Sequence, residues 1–399
     1  MDKQITLEKN SLLLWLAIAS LSLGPAISNG FSRFAYGLIL PAMREDLSWT
    51  YTEAGWFNTV NAVGYLIGAL LTLATVKRFP PGRLFLVGML ITGIGLLLSA
   101  FTRDFWFLTL WRVVAGAGGA PAFITGGVIA SGLFKDRPTV NALAILAYFG
   151  GGGLGMLSSG IYIPLWLEAQ GAAAWPATWF WLGIVALCCF LPSWWAVNYI
   201  SAPLPMPMGQ AAERLPVKAM WPSLANYSLF AFGYIIYITF LVAWMRQEGF
   251  DAKMVVLIWS VMSIAVIISP LAWRTVFAKS QAGMAGALTC SANGVGALLP
   301  VIWPTTLGLL VSAFIFGISI FQVPGSMTNF SRKNLPQSQW GASVALFTTL
   351  FAGAQVFGPL VAGWVSDLVG DLGPGLLVAA VILLLGGAVA LFQKPISAD

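Results

Sequence analysis

Arg33 and Arg112 each sit inside a long apolar stretch of the chain. A guanidinium is the side chain best shaped to grip a carboxylate or phosphate with two parallel hydrogen bonds. A cation costs at least about 2.5 to 3.5 kcal/mol to place in hydrocarbon, so an intramembrane arginine usually faces a bundle interior or a water-filled cavity. Helical spacing sets Asn29 and Tyr36 on the same face as Arg33, and sets Asn58, Asn61 and Tyr65 on one face of the next apolar stretch. Amide and phenol donors therefore accompany the charge. Further along, Tyr234, Tyr237, Trp259 and Gln355 supply aromatic faces and an amide but no charge. Cationic donors from one group and aromatic walls from the other suit an anionic solute with an apolar body.

The groups needed for covalent or acid–base catalysis are missing at depth. The chain has no histidine, and Glu53, Asp104, Glu168 and Asp367 all fall near the ends of apolar stretches. An intramembrane enzyme would need an activated nucleophile, paired carboxylates or metal ligands inside the bilayer. Cys188, Cys189 and Cys290 show neither a disulfide framework nor a metal-ligand spacing. No enzyme, metal or cofactor is expected. A proton relay through a deep carboxylate is not expected either. If protons drive the chemistry, they travel on the solute or through Glu53 or Asp104, and anion exchange would need neither.

The elements that must position these side chains follow from composition. The chain is 58% hydrophobic and only 9% charged, against roughly 25% charged residues in a soluble domain. Apolar runs of bilayer length, about 20 residues each, fall at roughly 11–41, 50–76, 83–101, 104–134, 138–167, 176–199, 221–246, 252–273, 279–300, 303–325, 338–366 and 372–393. This predicts an all-α membrane protein of twelve transmembrane helices. The first run is too long for a cleaved signal core and reads as a membrane helix. Pro203, Pro205, Pro207 and Pro216 mark a stretch that cannot stay helical, so 201–220 is expected to be a cytoplasmic linker between a bundle at 1–200 and another at 221–399. Paired six-helix halves with a solute site between them near the midplane are an architecture of secondary transporters.

Depth can be read from the rise of about 1.5 Å per residue. Arg33 lies about ten residues from the outer end of its run and Arg112 about eight from the start of its own, and Asn58, Asn61, Tyr234, Tyr237, Trp259 and Gln355 reach the same layer by that measure. Orientation comes from the loops. With the N-terminus inside, eleven Lys and Arg, from Lys77 to Lys333, occupy inner connections, and Arg44, Arg103, Arg246 and Lys253 occupy outer ones. That asymmetry puts both termini in the cytoplasm. It also accounts for the net charge of +6 without any nucleic-acid partner.

Three short motifs carry a resemblance. The fourth run contains Arg112, Gly116, Gly118 and Ala120 in RVVAGAGGA; the connection after the second has Gly68 upstream, then Lys77, Arg78 and Gly82-Arg83; the eleventh closes on Gly358, Pro359, Gly363 and Asp367 in GPLVAGWVSD. In order and position these resemble the motifs of the major facilitator superfamily, although the loop motif lacks its acidic residue and carries Pro80-Pro81. The resemblance implies two pseudo-symmetric six-helix bundles, transport by alternating access, and gating roles for Arg83 and Asp367. The fifth run has Gly150 to Gly153, Gly155 and Gly160 but not the Gly-Pro pair of the family's exporters. Its glycines serve either close packing or a hinge.

Each candidate has a plain structural role beside the functional one. Arg112 either has a structural or gating role with backbone carbonyls or a loop carboxylate, or touches solute. Arg33 either holds solute or, if the first helix kinks at Gly24-Pro25, snorkels toward the surface. The asparagines and Gln355 serve helix–helix hydrogen bonds or a ligand, and the Tyr and Trp residues serve packing or a ligand. The expected function is a secondary transporter of a small organic anion in the cell inner membrane, acting as a monomer in the lipid bilayer, with or without protons. The alternatives are a proton-coupled efflux pump for lipophilic compounds and, in another class, a membrane sensor that does not transport.

Overall fold

The computed structural model describes residues 11–76, 78–134, 137–200 and 215–396. The described residues form helices and connections, with no strand among them. Among the described residues, twelve helices are long and apolar enough to cross a bilayer: α1 (Leu12–Leu47), α2 (Tyr51–Thr75), α3 (Pro81–Phe101), α4 (Phe105–Gly132), α5 (Val140–Gln170), α6 (Ala172–Ile200), α7 (Val217–Gln247), α8 (Ala252–Lys279), α9 (Met284–Ile302), α10 (Thr306–Asn334), α11 (Gln337–Val369) and α12 (Gly373–Ala390). Number and order agree with the apolar runs. Several ends do not. α1 continues through Pro41 to Leu47, because a proline inside a bundle leaves carbonyls that neighbours can satisfy. α10 extends beyond 325 as a second helical segment after Phe321. Of the expected linker, 201–214 lies outside the described residues, and the chain is already helical at Val217.

Large apolar side chains cover the exterior, Leu191, Phe357 and Leu71 among them at 67%, 59% and 58% exposure. A soluble protein buries such residues. Here lipid takes the place of water.

Two compact units divide the described residues: those within 11–35, 63–159 and 174–200 form the first, and those within 36–62, 160–173 and 215–396 the second. One break of the division falls across the proline-rich stretch, and the others do not. It cuts α1 after Ala35, α2 before Val63 and α5 after Ser159, so the far ends of these three helices, remote from where α1 begins, belong to the second unit.

Within the first unit α1 and α5 meet backbone to backbone. A Cβ on Gly151 would strike the Ser22 carbonyl, and one on Gly155 the Ala26 carbonyl. Those glycines serve close packing, which lipid-embedded helices use in place of a hydrophobic drive. Gly150 next door faces open space. Tyr148 fixes α5 to α4 by donating to the Phe123 carbonyl at 2.8 Å.

Within the second unit α7 is the most buried span. Asn226 Nδ2 ties it to α12 through the Gly386 carbonyl at 2.9 Å. The far ends of α1, α2 and α5 also pack close, with Gly37 against the Ile238 carbonyl, Gly55 against the Pro359 carbonyl and Gly160 against the indole of Trp259.

α1 changes helical type along its length. Ser11–Pro25 is α-helical, Ala26–Phe34 is a π-helix, and Ala35–Leu47 is α-helical again. Pro25 carries no N–H, which breaks the α ladder where the π stretch begins. π geometry is usually confined to one turn and is frequent at functional sites. Here it runs nine residues, all of them buried, and includes Arg33.

Candidate functional site: a buried cationic layer

In the first unit the π stretch presents Ser28, Asn29, Ser32 and Arg33, none more than 5% exposed. Its i to i+5 bonding brings Ser28 and Arg33 to one side of the helix. The Arg33 guanidinium lies over the ring of Tyr65 on α2, with Cζ 4.6 Å from the centroid. Arg112 is 1% exposed. Its Nη1 donates to the Ser32 carbonyl at 2.7 Å, and its Cζ stands 5.1 Å from the ring centre of Trp179 on α6. The fourth-helix arginine is thus attached to the backbone of the residue that precedes Arg33. This is the carbonyl-bonding role among those considered for it.

The charge balance of this layer is one-sided. Among the described residues of the first unit the sole carboxylate is Asp104. It begins α4, where it accepts from the backbone N–H groups of Trp106 and Phe107 at 3.0 and 2.9 Å. In this layer the buried Ser28 Oγ and Trp179 Nε1 have no hydrogen-bond partner among the described residues. Buried polar groups are nearly always paired, so such orphans call for a water or a ligand.

The remaining candidates fall in the second unit, where several are engaged. Tyr36 donates to the Ala54 carbonyl at 2.6 Å, tying α1 to α2. Asn58 Nδ2 donates to Thr239 Oγ1 on α7, and its buried Oδ1 has no partner. Asn61 is buried in the same helix. Tyr234 donates to Gln355 Oε1 at 3.1 Å. Tyr237 shares a 2.7 Å bond with Ser312, which itself bonds the Gly296 carbonyl, and its ring stacks on Phe316 at 4.0 Å. Trp259 is fully buried against Gly160 with Nε1 unpartnered. Tyr237 therefore belongs to the interior of the second unit, while Trp259 and Asn58 keep unused polar atoms.

The four gating or coupling candidates separate in the same way. Glu53 accepts from the N–H and hydroxyl of Thr50, a local capping arrangement. Asp104 caps its own helix. Arg83 is exposed, 5.6 Å from the Phe79 ring centre. Asp367 instead reaches from the end of α11 to the start of α2, accepting from Tyr51 N at 2.7 Å and Thr52 N at 2.8 Å.

Some participants were not marked by sequence. Trp179 and Ser28 look like ordinary apolar-span residues. The stacked set of Tyr227, Phe230, Tyr234 and Phe351, with neighbouring rings 4.9 to 5.6 Å apart, had a legible signal, because positions 227, 230 and 234 share one helical face. A cavity of about 280 Å³ at the far end of the second unit is lined by Leu38, Glu45, Leu167, Glu168, Val242 and Arg246 among others. No cluster among the described residues could hold a metal ion.

Comparison with known proteins gives a consistent picture. A family profile described as "Uncharacterised MFS-type transporter YbfB" matches residues 26–391. A D-xylose transporter of Levilactobacillus brevis is 31% identical over 142 residues, which is 34% of this chain and 30% of that protein. The chain spans less than two fifths of the length of this and two other curated relatives that it matches, between 28% and 38%. The nucleoside transporter NupG superposes with a TM-score of 0.69 at 14% identity, over 95% of this chain and 98% of its own. A bacterial homologue of the human lysosomal transporter Spinster, in an inward-facing and occupied conformation, gives 0.70 at 13% identity, over 96% of each. At such identities the structures show the shared fold.

Proposed function

Because the chain belongs to the MFS-type transporter family of the uncharacterised transporter YbfB, we propose that it moves a small organic anion by alternating access, with Arg33 receiving the carboxylate. Its family and structural neighbours are transporters, not enzymes. The reading rests on one observation: two guanidiniums are buried in a unit whose only described carboxylate is occupied at a helix N-terminus. Each buried cation costs at least about 2.5 kcal/mol in the membrane. A carboxylate solute offsets that cost and gains a bidentate pair. Arg33 is taken as the receiving group because it sits on the buried π stretch beside the Ser28 hydroxyl, while Arg112 Nη1 donates to the Ser32 carbonyl. The unpartnered Ser28 hydroxyl and Trp179 indole add donors for the rest of the solute.

Loop charges support a cell inner membrane location with both termini cytoplasmic. In that orientation the close-packed far end of the second unit faces outside. The protein acts as a monomer, and its driving ion is either a proton carried with the acid or a counter-anion.

A second reading is favoured by the stacked rings of Tyr227, Phe230, Tyr234 and Phe351, which would suit lipophilic compounds leaving the cell. Two relatives are described as transporters of D-xylose and of nucleosides, so neutral ring solutes join the comparison. Thermal-shift measurements with organic acids, sugars, nucleosides and lipophilic cations decide among them, since a ligand of the folded state raises apparent stability. Organic acids should stabilise the parent and not Arg33→Gln. Stabilisation by a neutral solute or lipophilic cation that survives Arg33→Gln would refute the anion site.

A further inference from the structure

Two acidic side chains outside the cationic layer occupy equivalent places in the two halves of the chain. Glu168 lies two residues before the end of α5 at Gln170, and Asp367 two before the end of α11 at Val369. Each is followed three residues later by a glycine in the left-handed conformation, Gly171 at φ 85° and Gly370 at φ 77°, a common way to end a helix. Each carboxylate then reaches the first residue of a helix from the opposite half. Glu168 accepts from Ala252 N at the start of α8 at 3.1 Å. Asp367 accepts from Tyr51 N at 2.7 Å, Thr52 N at 2.8 Å and Thr52 Oγ1 at 2.6 Å at the start of α2.

The two contacts exchange when the halves are interchanged, α5 with α11 and α8 with α2. The turns that present their targets also match. Trp49 N donates to the Arg44 carbonyl at 3.0 Å, and Phe250 N to the Met245 carbonyl at 2.9 Å, with Ser48 and Gly249 at φ 55° and 82°. The same helix pairs touch through glycine beneath the carboxylates, Gly160 on Trp259 for α5 and α8, and Gly363 on the Tyr51 backbone for α11 and α2. All these residues lie in the second unit.

A helix start presents unsatisfied N–H groups and partial positive charge, which a carboxylate stabilises. Neither helix depends on the foreign acid for that. Asp251 already caps α8 by accepting from Met254 N at 2.8 Å, and Thr50 and Glu53 form a reciprocal cap on α2. What the foreign carboxylates add is a bond between helices, and it must break whenever those helices part. We propose that Glu168 and Asp367 are a symmetric pair of positioning residues that hold the far end closed, and that each transport cycle must release both. The proposal rests on the alternating-access reading and not on the identity of the solute.

Cysteine accessibility tests it in the full chain in membrane vesicles of either orientation. Cys188 and Cys189 are replaced, and Cys290, fully buried in the second unit, is kept to report general loosening. Ala54→Cys supplies a probe at a fully buried position near the start of α2. Asp367→Asn and Glu168→Gln should each raise the labelling rate of Ala54→Cys by an impermeant maleimide about tenfold, and together by more, with Cys290 unmodified. An unchanged probe rate in the double variant would overturn the proposal. So would labelling of Cys290 in step with the probe, because the carboxylates would then maintain the fold as a whole. The measurement needs no solute, so a failed anion panel leaves its outcome intact.

Discussion

Replacing Arg112 by methionine separates a residue that holds solute from one that holds the solute's anchor. The variant loses a charge-assisted hydrogen bond to the Ser32 carbonyl, about 1.5 to 3 kcal/mol. It also loses the guanidinium's position over Trp179, about 0.5 to 2 kcal/mol. Against this, a cation no longer has to be kept in the membrane interior, a relief of about 2.5 to 3.5 kcal/mol. The terms nearly cancel, so overall stability should change by no more than about 2.5 kcal/mol. Binding should not be spared. The Ser32 carbonyl loses its donor one residue ahead of Arg33, in a stretch whose π geometry depends on its surroundings. Anion affinity should therefore fall about tenfold, or roughly 1.4 kcal/mol. Arg33→Gln, which removes the proposed bidentate charged pair, should cost about a hundredfold or more. Melting curves with and without the best acid from the ligand panel give both quantities on one sample. A loss in Arg112→Met as large as in Arg33→Gln would refute the indirect role. Unchanged affinity in a folded Arg112→Met would refute the coupling of the Ser32 carbonyl to the site.

Neighbouring glycines of α5 should respond in opposite ways: Gly151→Ala drives a methyl into the Ser22 carbonyl and should cost about 1 to 3 kcal/mol, whereas Gly150→Ala meets nothing and should gain up to about 1 kcal/mol of helix propensity, both read as shifts in melting temperature. Tyr237→Phe should cost about 1 kcal/mol by breaking the bond to Ser312 while leaving solute affinity unchanged in the ligand titration. Lys333→Met removes donations to the carbonyls of Phe277, Ala278 and Ser280 at the end of α8, so it should lower the melting temperature without altering the ratio of anion to sugar binding. Gly160→Leu should displace Trp259 and raise far-end labelling of Ala54→Cys, because the α5–α8 contact can no longer close.

The twelve spans were legible because lipid demands long apolar helices, and hydropathy records that demand directly. The expectation that Arg33 and Arg112 share one level came from helix rise alone, and both are buried. The π stretch was not legible. Pro25 and Gly24 mark a disturbance in the sequence, but whether the next turn closes with α or π bonds depends on what the freed carbonyls meet, and Ser32 meets Arg112 from another helix. Nor could local pattern show that α1, α2 and α5 each contribute to both units, since their far ends are fixed by backbone approaches to Ile238, Pro359 and Trp259. Glu168 read as one more acid near a helix end. Its partner, the N–H of Ala252, lies 84 residues away.

The π stretch of α1 also has a geometric consequence. π bonding accommodates one more residue per closed ring than α bonding does. Deleting one residue from Ala26–Phe34 would let the helix close in α register with its flanking segments still in place. Side chains inside the stretch would then change direction while those of the flanking segments kept theirs. The direction in which the cationic side chain points is therefore under the control of chain length as well as of composition. An insertion or deletion here re-aims the site, where the same event in the neighbouring α-helical turns would shear the packing of the whole span.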